Sequence, residues 1–350
     1  MKTLSFSAFR LRRERLSSTA SPRLRPWSAR RNSLLAALAL ALQGCVSFPA
    51  AAPASGQARL ENDVFVARDG ARLGLTVWRA KEPAAIIAAV HGMNDYAGAF
   101  SLAAPYWAER GITTYAYDQR GFGRSPNQGR WAGAPAMKED LRAFIAAIRR
   151  DHPYTPLFVM GHSMGADVVM AAHKDEALDA DGIILAAPGV WGGAQMPLLY
   201  RATLNLAACV APGKTLTGES AGRQASDNID FLRAMYEDPN VVKDTRLDAV
   251  LGVVRMMGEG WDASDEIAGD FLVVYGARDD IIPVKKIRKA AKRLSGEVET
   301  RVYEDGWHLL LADTARAAPL ADIATWALAR ADREPPRRAE TLEQAVPNLP

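Results

Sequence analysis

The sequence contains few cysteines and few histidines, and both shortages limit the chemistry available to the protein. Its 350 residues include only two cysteines, Cys45 and Cys209, too few for a disulfide framework. The fully apolar run 34–42 has nine residues, fewer than half of the about 20 that a membrane-spanning helix needs. All candidates for an imidazole base are contained in five histidines: His91, His152, His162, His173 and His308.

Acidic residues are nearly missing from the first 44 residues, which hold nine Lys or Arg and a single acid, Glu14. The remaining chain has 34 basic and 39 acidic residues, so the net charge of +3 for the whole chain becomes −5 for this part. A mildly acidic body gives no support to nucleic-acid binding. We therefore expect no nucleic-acid partner.

The N-terminal region has the order of a secretory signal, with a basic segment, the apolar run 34–42 and small residues after it. The sequence Leu-Gln-Gly-Cys at 42–45 resembles the lipobox of bacterial lipoproteins, which predicts residues 1–44 as a lipoprotein signal peptide. It implies that Cys45 is lipidated and tethers the protein to a membrane of the bacterial cell envelope, facing the periplasm or exterior. An ordinary signal peptide cut elsewhere, an organellar transit peptide and twin-arginine export through Arg30-Arg31 remain alternatives.

Apolar runs alternate with amphipathic segments through most of the remaining chain. Residues 85–90 and 271–275 are fully apolar, as expected of strands buried on both faces of a parallel sheet. Residues 137–150 place apolar side chains on one face of a helix. We predict an α/β fold with a mostly parallel sheet flanked by helices, and an antiparallel edge around the Asp69-Gly70 turn.

This alternation stops in the middle of the chain. Residues 189–262 contain two or three helical patches and no clear strand, which predicts a cap inserted between two parts of one core. The predicted segments are a flexible Ala/Pro/Ser/Gly-rich tether (45–61), the first part of the core (62–188), the cap (189–262), the second part of the core (263–331) and a disordered tail (332–350).

The candidate nucleophile lies in Gly-His-Ser-Met-Gly at 161–165, between a predicted strand and a predicted helix. A sharp turn of this kind holds its central residue in a strained conformation and lifts the side chain away from the sheet. It also points the first amides of the helix at a bound group. We therefore predict that Ser163 is a nucleophile.

A serine nucleophile needs a base within hydrogen-bond reach. His308 follows the last predicted strand, at the carboxyl edge of the sheet where sites of open α/β folds form. His162 is expected to point away from Ser163, and His91 to brace a loop. His152 and His173 have polar surroundings typical of surface residues, so His308 is the predicted base.

The base needs an acid that fixes its tautomer. Asp279 and Asp280 both follow the preceding strand at the same edge, and the order Ser–Asp–His matches α/β-hydrolases. These residues alone leave open which of the two is the acid. For the oxyanion, the backbone amides of Met164 and Met93 are the predicted donors.

Six motifs resemble the cap-bearing α/β-hydrolases that include monoacylglycerol lipases and bacterial lysophospholipases, the serine-aminopeptidase-like group, over about residues 62–330. The resemblance implies an eight-stranded sheet with a cap over the serine, and it assigns the acid to Asp279, the first Asp of its Gly-x-x-Asp motif. The motifs are 91–96 (HGMNDY), 118–125 (DQRGFGRS), 161–165 (GHSMG), 238–239 (DP), 276–279 (GARD) and 306–308 (GWH).

The expected function is a membrane-tethered serine hydrolase that cleaves carboxylic esters without metal or cofactor, as the resemblance implies. Monoacylglycerols or lysophospholipids are the expected substrates. A short-chain carboxylesterase, a thioesterase and a peptidase share the triad and stay open. A catalytically idle envelope protein that kept the fold for binding is the alternative outside the enzymes. The sequence carries no signal for an oligomeric state.

Overall fold

The computed structural model describes residues 46–217 and 222–333. The predicted signal peptide 1–44, the lipidation site Cys45 and residues 334–350 of the predicted tail lie outside these ranges. Within the described ranges, no helix combines the length and the apolar character that crossing a membrane requires.

The core is one sheet of nine strands, with parallel pairing throughout its centre. Its spatial order is β1-β2-β3-β5-β4-β6-β7-β10-β11. The two N-terminal pairings and the pairing of β3 with β5 are antiparallel. The strands are β1 Arg59–Glu61, β2 Val64–Val66, β3 Arg72–Trp78, β4 Ala85–Val90, β5 Ile112–Tyr117, β6 Leu157–His162, β7 Gly182–Ala186, β10 Ala268–Gly276 and β11 Ser295–Tyr303.

This sheet confirms the predicted α/β-hydrolase architecture and differs from it in one strand. β4 lies between β5 and β6, and all six of its residues are fully buried, because helices cover both faces. The ninth strand is β1, Arg59–Glu61, which pairs with β2. The predicted tether, 45–61, therefore overlaps this strand. Residues 59–61 are too few to show a sustained alternation of apolar and polar side chains, so the pairing left no local signal in the sequence.

Five helices cover the two faces of the sheet. α1 and α8 contribute Trp107 and Trp326 to one apolar layer. The other three cover the opposite face and contribute side chains such as Phe144 and Ile287. The helices are α1 Ala103–Ala108, α2 Ala134–Asp151, α3 Met164–Asp175, α7 Val284–Ala291 and α8 Ala317–Ala331.

The cap contains three helices and, against the prediction of no strand, a short antiparallel pair. The strands β8, Thr215–Thr217, and β9, Asp244–Arg246, pair with each other and lie outside the main sheet. Three-residue strands of polar side chains carry no apolar period, which explains the miss. The helices are α4 Leu198–Val210, α5 Ile229–Glu237 and α6 Leu247–Ala263.

The beginning of the predicted tether is packed rather than free. Val46 contacts the small apolar cluster that α4 and α6 form around Ala208, and its carbonyl accepts a hydrogen bond from Arg255 Nη1 at 3.1 Å. The Phe48 ring meets the edge of Trp131 at a centroid distance of 6.3 Å. Residues 46–48, at the start of the predicted tether, thus contact residues that are distant in sequence.

Candidate active site

Ser163 occupies the sharp turn between β6 and α3. Its backbone has φ 52° and ψ −121°, a combination that a residue with a side chain rarely adopts. The Ser163 N–H donates to the Ala186 carbonyl at 2.9 Å, which holds the turn on the sheet. Gly165 is required because a Cβ there would overlap the Val90 carbonyl oxygen of β4. The turn predicted from the sequence is therefore present, with its strain concentrated at Ser163.

A continuous chain of hydrogen bonds joins Ser163, His308 and Asp279. The Ser163 hydroxyl oxygen lies 2.9 Å from His308 Nε2, and His308 Nδ1 lies 2.8 Å from Asp279 Oδ2. Because a carboxylate can only accept, Nδ1 carries the imidazole proton and Nε2 accepts from the serine hydroxyl. His308 and Asp279 are buried, with 5% and 8% of their surface exposed. The geometry is that of a serine nucleophile with an oriented base.

The two neighbouring aspartates have different environments. Asp279 Oδ1 accepts from the amides of Ile281 and Ile282 at 2.9 and 2.8 Å, which fixes its other oxygen on His308. Asp280 instead pairs with Arg223 at 3.2 Å, with about half of each side chain exposed. The structure thus places Asp279 against the imidazole and leaves Asp280 at the surface.

The two predicted oxyanion donors belong to backbone segments that meet beside Ser163. Met164 is the first residue of α3, and Met93 lies in the loop after β4, called here the oxyanion loop (residues 91–96). This loop runs close to the nucleophile, because a Cβ on Gly92 would lie 3.2 Å from Ser163 Cβ. Neither amide donates to an acceptor within the described ranges. Both remain available to a developing negative charge.

His91 braces the oxyanion loop. Its Nδ1 donates to the Gly92 carbonyl at 2.7 Å, and its Nε2 accepts from the Gln119 amide at 2.9 Å. The Gln119 side chain returns a bond to the His91 carbonyl at 2.8 Å. Burial lowers the pKa of His91 to about 4, so the ring stays neutral and keeps this bonding pattern near neutral pH.

His162 supports the base, a role that the sequence does not reveal. Its Nε2 donates to the His308 backbone carbonyl at 3.0 Å. This bond joins the residue before Ser163 to the residue that carries the predicted base. Burial and the neighbouring His308 lower the pKa of His162 to about 4. His152 and His173 lie elsewhere and bond to Tyr115 and to the Leu178 amide.

Hydrogen bonds link the cap to the oxyanion loop. The Tyr96 hydroxyl donates to Asp238 at 2.6 Å, and the Asn94 side chain donates to Thr245 at 2.6 Å. The Asn94 carbonyl also accepts from the Val242 amide at 2.9 Å. Asn94 has a positive φ of 65°, so the cap holds this part of the loop in an uncommon conformation.

A second set of hydrogen bonds links the cap to the loop that carries His308. The Leu309 amide donates to the Ala225 carbonyl at 2.8 Å. Asp313 accepts from the Ser226 hydroxyl at 2.6 Å and from the Trp307 amide at 2.6 Å. Asp313 therefore bonds both to Trp307, the residue before His308, and to Ser226 of the cap.

Asp95 is a buried carboxyl in the same region. It lines a small cavity with His162, Phe231 and Leu309, and its Oδ1 accepts from the Tyr96 amide at 2.8 Å. Desolvation, with smaller contributions from neighbouring carboxylates, raises the pKa of Asp95 to about 7. Among the described residues, no group of three or more His, Cys, Asp and Glu is arranged to hold a metal ion.

Known proteins of similar sequence include monoacylglycerol lipases. The chain is 26% identical over 276 residues to a monoacylglycerol lipase of Mycolicibacterium smegmatis, covering 75% of this chain and 95% of that protein. It is 22% identical over 272 residues to the monoglyceride lipase of Rattus norvegicus, covering 75% and 88%.

Solved structures share the fold. The monoacylglycerol lipase of Paleococcus ferrophilus superposes with a TM-score of 0.62 at 20% identity, covering 74% of this chain and 99% of that one. A soluble variant of the Saccharomyces cerevisiae monoglyceride lipase gives 0.64 at 16% identity, covering 81% and 99%. The family model described as "Serine aminopeptidase, S33" matches residues 81–315, about two thirds of the chain. The chain therefore belongs to this serine aminopeptidase S33 family of α/β-hydrolases.

Proposed function

We propose that the protein hydrolyses monoacylglycerols or lysophospholipids at a bacterial envelope membrane. The chain is a serine ester hydrolase; the proposal concerns its substrate, its catalytic residues and its location. One observation carries it: the bonded chain from Asp279 through His308 to Ser163 lies beside a cap whose α4 exposes large apolar side chains. The related lipases point to the same substrate class.

In the proposed reaction, Ser163 Oγ attacks the ester carbonyl while His308 Nε2 takes the hydroxyl proton. Asp279 stabilises the imidazolium, and the amides of Met93 and Met164 donate to the oxyanion. His308 then gives its proton to the leaving alcohol, which leaves an acyl group on Ser163. Water, activated by the same imidazole, releases the fatty acid and restores the hydroxyl.

The surface of α4 supports a lipid substrate. Leu198, Leu199 and Val210 are 74%, 69% and 77% exposed, and Arg201 is the only charged residue among the 13 of the helix. Soluble proteins rarely leave such a surface uncovered, whereas a lipid surface would cover it. In the proposed function, a long acyl chain leaves the bilayer at the exposed start of α4.

The proposed location rests on Cys45 and on its neighbour. Two or three acyl chains on one cysteine give stable anchoring, at about 0.8 kcal/mol per buried CH₂. Val46 packs against the α4–α6 cluster, so an anchor on the preceding residue would start beside the cap. Replacement of Cys45 by serine is expected to move the protein from the membrane to the soluble fraction with unchanged activity in detergent. Continued membrane binding at a salt concentration that screens the surface charges of the protein would contradict the lipid anchor.

The test of the substrate compares long-chain monoacylglycerol with a short soluble ester. Leu198→Ser with Leu199→Ser should lower long-chain hydrolysis about ten-fold or more, since each lost apolar contact costs about 1.5–3 kcal/mol, and should spare the short ester. Tyr154→Ser is the matched control, because Tyr154 is 78% exposed and lies before β6, at the opposite edge of the sheet.

Parallel losses on both esters, or equal losses in the control, would refute the acyl-chain route. Fluorophosphonate labelling that is lost in Ser163→Ala separates an active enzyme from an idle binding protein. A panel of esters, thioesters and peptides identifies any other acyl substrate of the same triad.

A further inference from the structure

Helix α7 carries a stripe of exposed cations. Six of the ten residues 284–293 are Lys or Arg, and none is acidic. Ile287, Ala290 and Ala291 are buried against the core. The exposed cations have the spacing i, i+3, i+4 and i+7, which places them on one face of the helix; they are Lys285, Arg288, Lys289 and Lys292.

These four cations have no ion-pair partner among the described residues. Within the described ranges, none of the four exposed side chains forms an ion pair, whereas the adjacent Arg293 pairs with Asp265 at 2.6 Å. The chain after residue 44 has a net charge of −5, so the positive stripe is a local departure from the charge of the body. Like charges on one helix face repel each other. A partner of opposite charge would relieve that repulsion.

The indole ring of Trp261 lies beside two lysines of α7. The ammonium groups of Lys289 and Lys286 lie 5.6 and 5.8 Å from the ring centroid of Trp261, which is itself buried. These distances are short enough for cation–π contacts, which hold both ammonium groups beside the indole.

The stripe begins next to the exposed apolar helix of the cap. α7 follows the Asp279 loop, so its first turn lies at the carboxyl edge of the sheet. Lys286 Nζ donates to Gln195 Oε1 at 3.0 Å, and Gln195 precedes the start of α4 by three residues. The first turn of α7 thus contacts the segment that leads into the exposed apolar helix α4, and a basic helix near an apolar one is typical of surfaces that bind anionic bilayers.

We propose that the basic face of α7 binds the anionic phospholipid headgroups of the bilayer that α4 contacts. The inference rests on the proposed function, in which the substrate is drawn from a membrane. The apolar side chains of α4 have no preference for headgroup charge, so the stripe on α7 supplies the selectivity for an anionic surface. The interaction is electrostatic and weakens as salt screens it.

The experiment measures vesicle binding by residues 45–350 carrying Cys45→Ser, so that neither a lipid anchor nor the basic and apolar segment 1–44 dominates. Vesicles of phosphatidylcholine alone are compared with vesicles that also contain phosphatidylglycerol. Lys285→Gln with Lys289→Gln should lower binding to the anionic vesicles roughly thirty-fold, from about five-fold per cation, and leave binding to neutral vesicles unchanged. The matched control is Arg79→Gln with Lys81→Gln, two exposed cations at the opposite edge of the sheet.

The position of each charge gives a second measurement. Lys292 lies about 10 Å farther along the helix axis from the catalytic edge than Lys285, at 1.5 Å per residue. Lys285→Gln should therefore weaken anionic binding more than Lys292→Gln. An equal loss of anionic vesicle binding in the control pair, or no loss in the α7 pair, would overturn the proposal. The cations of α7 would then have to bind another partner, such as an acidic protein.

The failure of this proposal and that of the proposed function are distinguishable. Hydrolysis of a short soluble ester is expected to be equal in all of these variants, because the substituted residues are exposed and form no hydrogen bond or ion pair with Ser163, Asp279 or His308. If the parent chain binds anionic vesicles through α7 but hydrolyses no lipid ester, the surface proposal stands and the substrate proposal fails. If it hydrolyses lipid esters but binds anionic and neutral vesicles equally well, the substrate proposal stands and the surface proposal fails.

Discussion

Replacement of Asp279 by asparagine tests whether Asp279 is the acid of the triad, because it changes the one contact between this side chain and His308 Nδ1. An asparagine oxygen can keep the bonds that Asp279 Oδ1 accepts from the Ile281 and Ile282 amides. The amide nitrogen then faces His308 Nδ1, where the carboxylate oxygen was 2.8 Å away. Two donors cannot share that contact, so the imidazole proton moves to Nε2. The Ser163 hydroxyl thereby loses its acceptor.

The expected loss follows from this change of tautomer. With Nε2 protonated, His308 cannot take the serine proton, and a loss of about 10⁴-fold in kcat is typical of such a substitution. That factor corresponds to about 5 kcal/mol in the activation free energy. Asp280→Asn removes only an exposed pair with Arg223. Such pairs contribute less than about 1 kcal/mol, so we expect activity within about two-fold of the parent.

The assay is steady-state hydrolysis of a short soluble ester, which avoids any effect of the cap on lipid access. Thermal melting verifies that both variants fold. Equal losses in the two variants, or a larger loss in Asp280→Asn, would refute the assignment of Asp279. A loss of a few-fold in Asp279→Asn would mean that the imidazole keeps its tautomer by other contacts.

Three further predictions concern the same region. Ser163→Ala and His308→Ala should each remove nearly all turnover, and the double variant should be no worse than either, because the triad acts as a unit; additive losses would contradict this. Tyr96→Phe removes the bond to Asp238 and should lower kcat with little change in KM, since the oxyanion loop acts mainly in the transition state; a change confined to KM would refute it. The raised pKa of Asp95, about 7, means that its carboxyl favours folding while protonated, and that this contribution is lost as pH rises toward and through 7. Asp95→Asn should therefore raise the melting temperature at about pH 8 and change it little at about pH 3, below the unfolded-state pKa of 3.8; a shift equal at both pH values would contradict the titration.

The meeting of Ser163, His308 and Asp279 was predictable from the sequence because each residue lies in a short segment whose backbone path the sequence indicates. A strand, a sharp turn and a helix place Ser163, and close packing demands Gly165 behind it. His308 and Asp279 follow strands whose carboxyl ends meet at one edge. The choice between Asp279 and Asp280 needed the family motif, since burial and amide contacts are not visible in composition.

The supporting contacts were not predictable because they join residues far apart in the chain. His162 holds the His308 carbonyl across 146 positions, and Tyr96 holds Asp238 across 142. The packing of Val46 on the cap was missed for the same reason. Local periodicity reports which face of an element is buried, and it carries no information on which distant element covers that face.

The cap bonds to both loops that complete the active site. It holds the oxyanion loop through Tyr96 and Asp238, and it holds the His308 loop through the Ala225 carbonyl and the Leu309 amide. If a long acyl chain enters by a movement of the cap, as the proposed function requires, that movement must strain or break contacts that position Met93 and His308. Lipid binding that favours one arrangement of the cap would then also favour one arrangement of the proposed catalytic groups. Under the proposed function, substrate entry and catalytic geometry are coupled through the same hydrogen bonds.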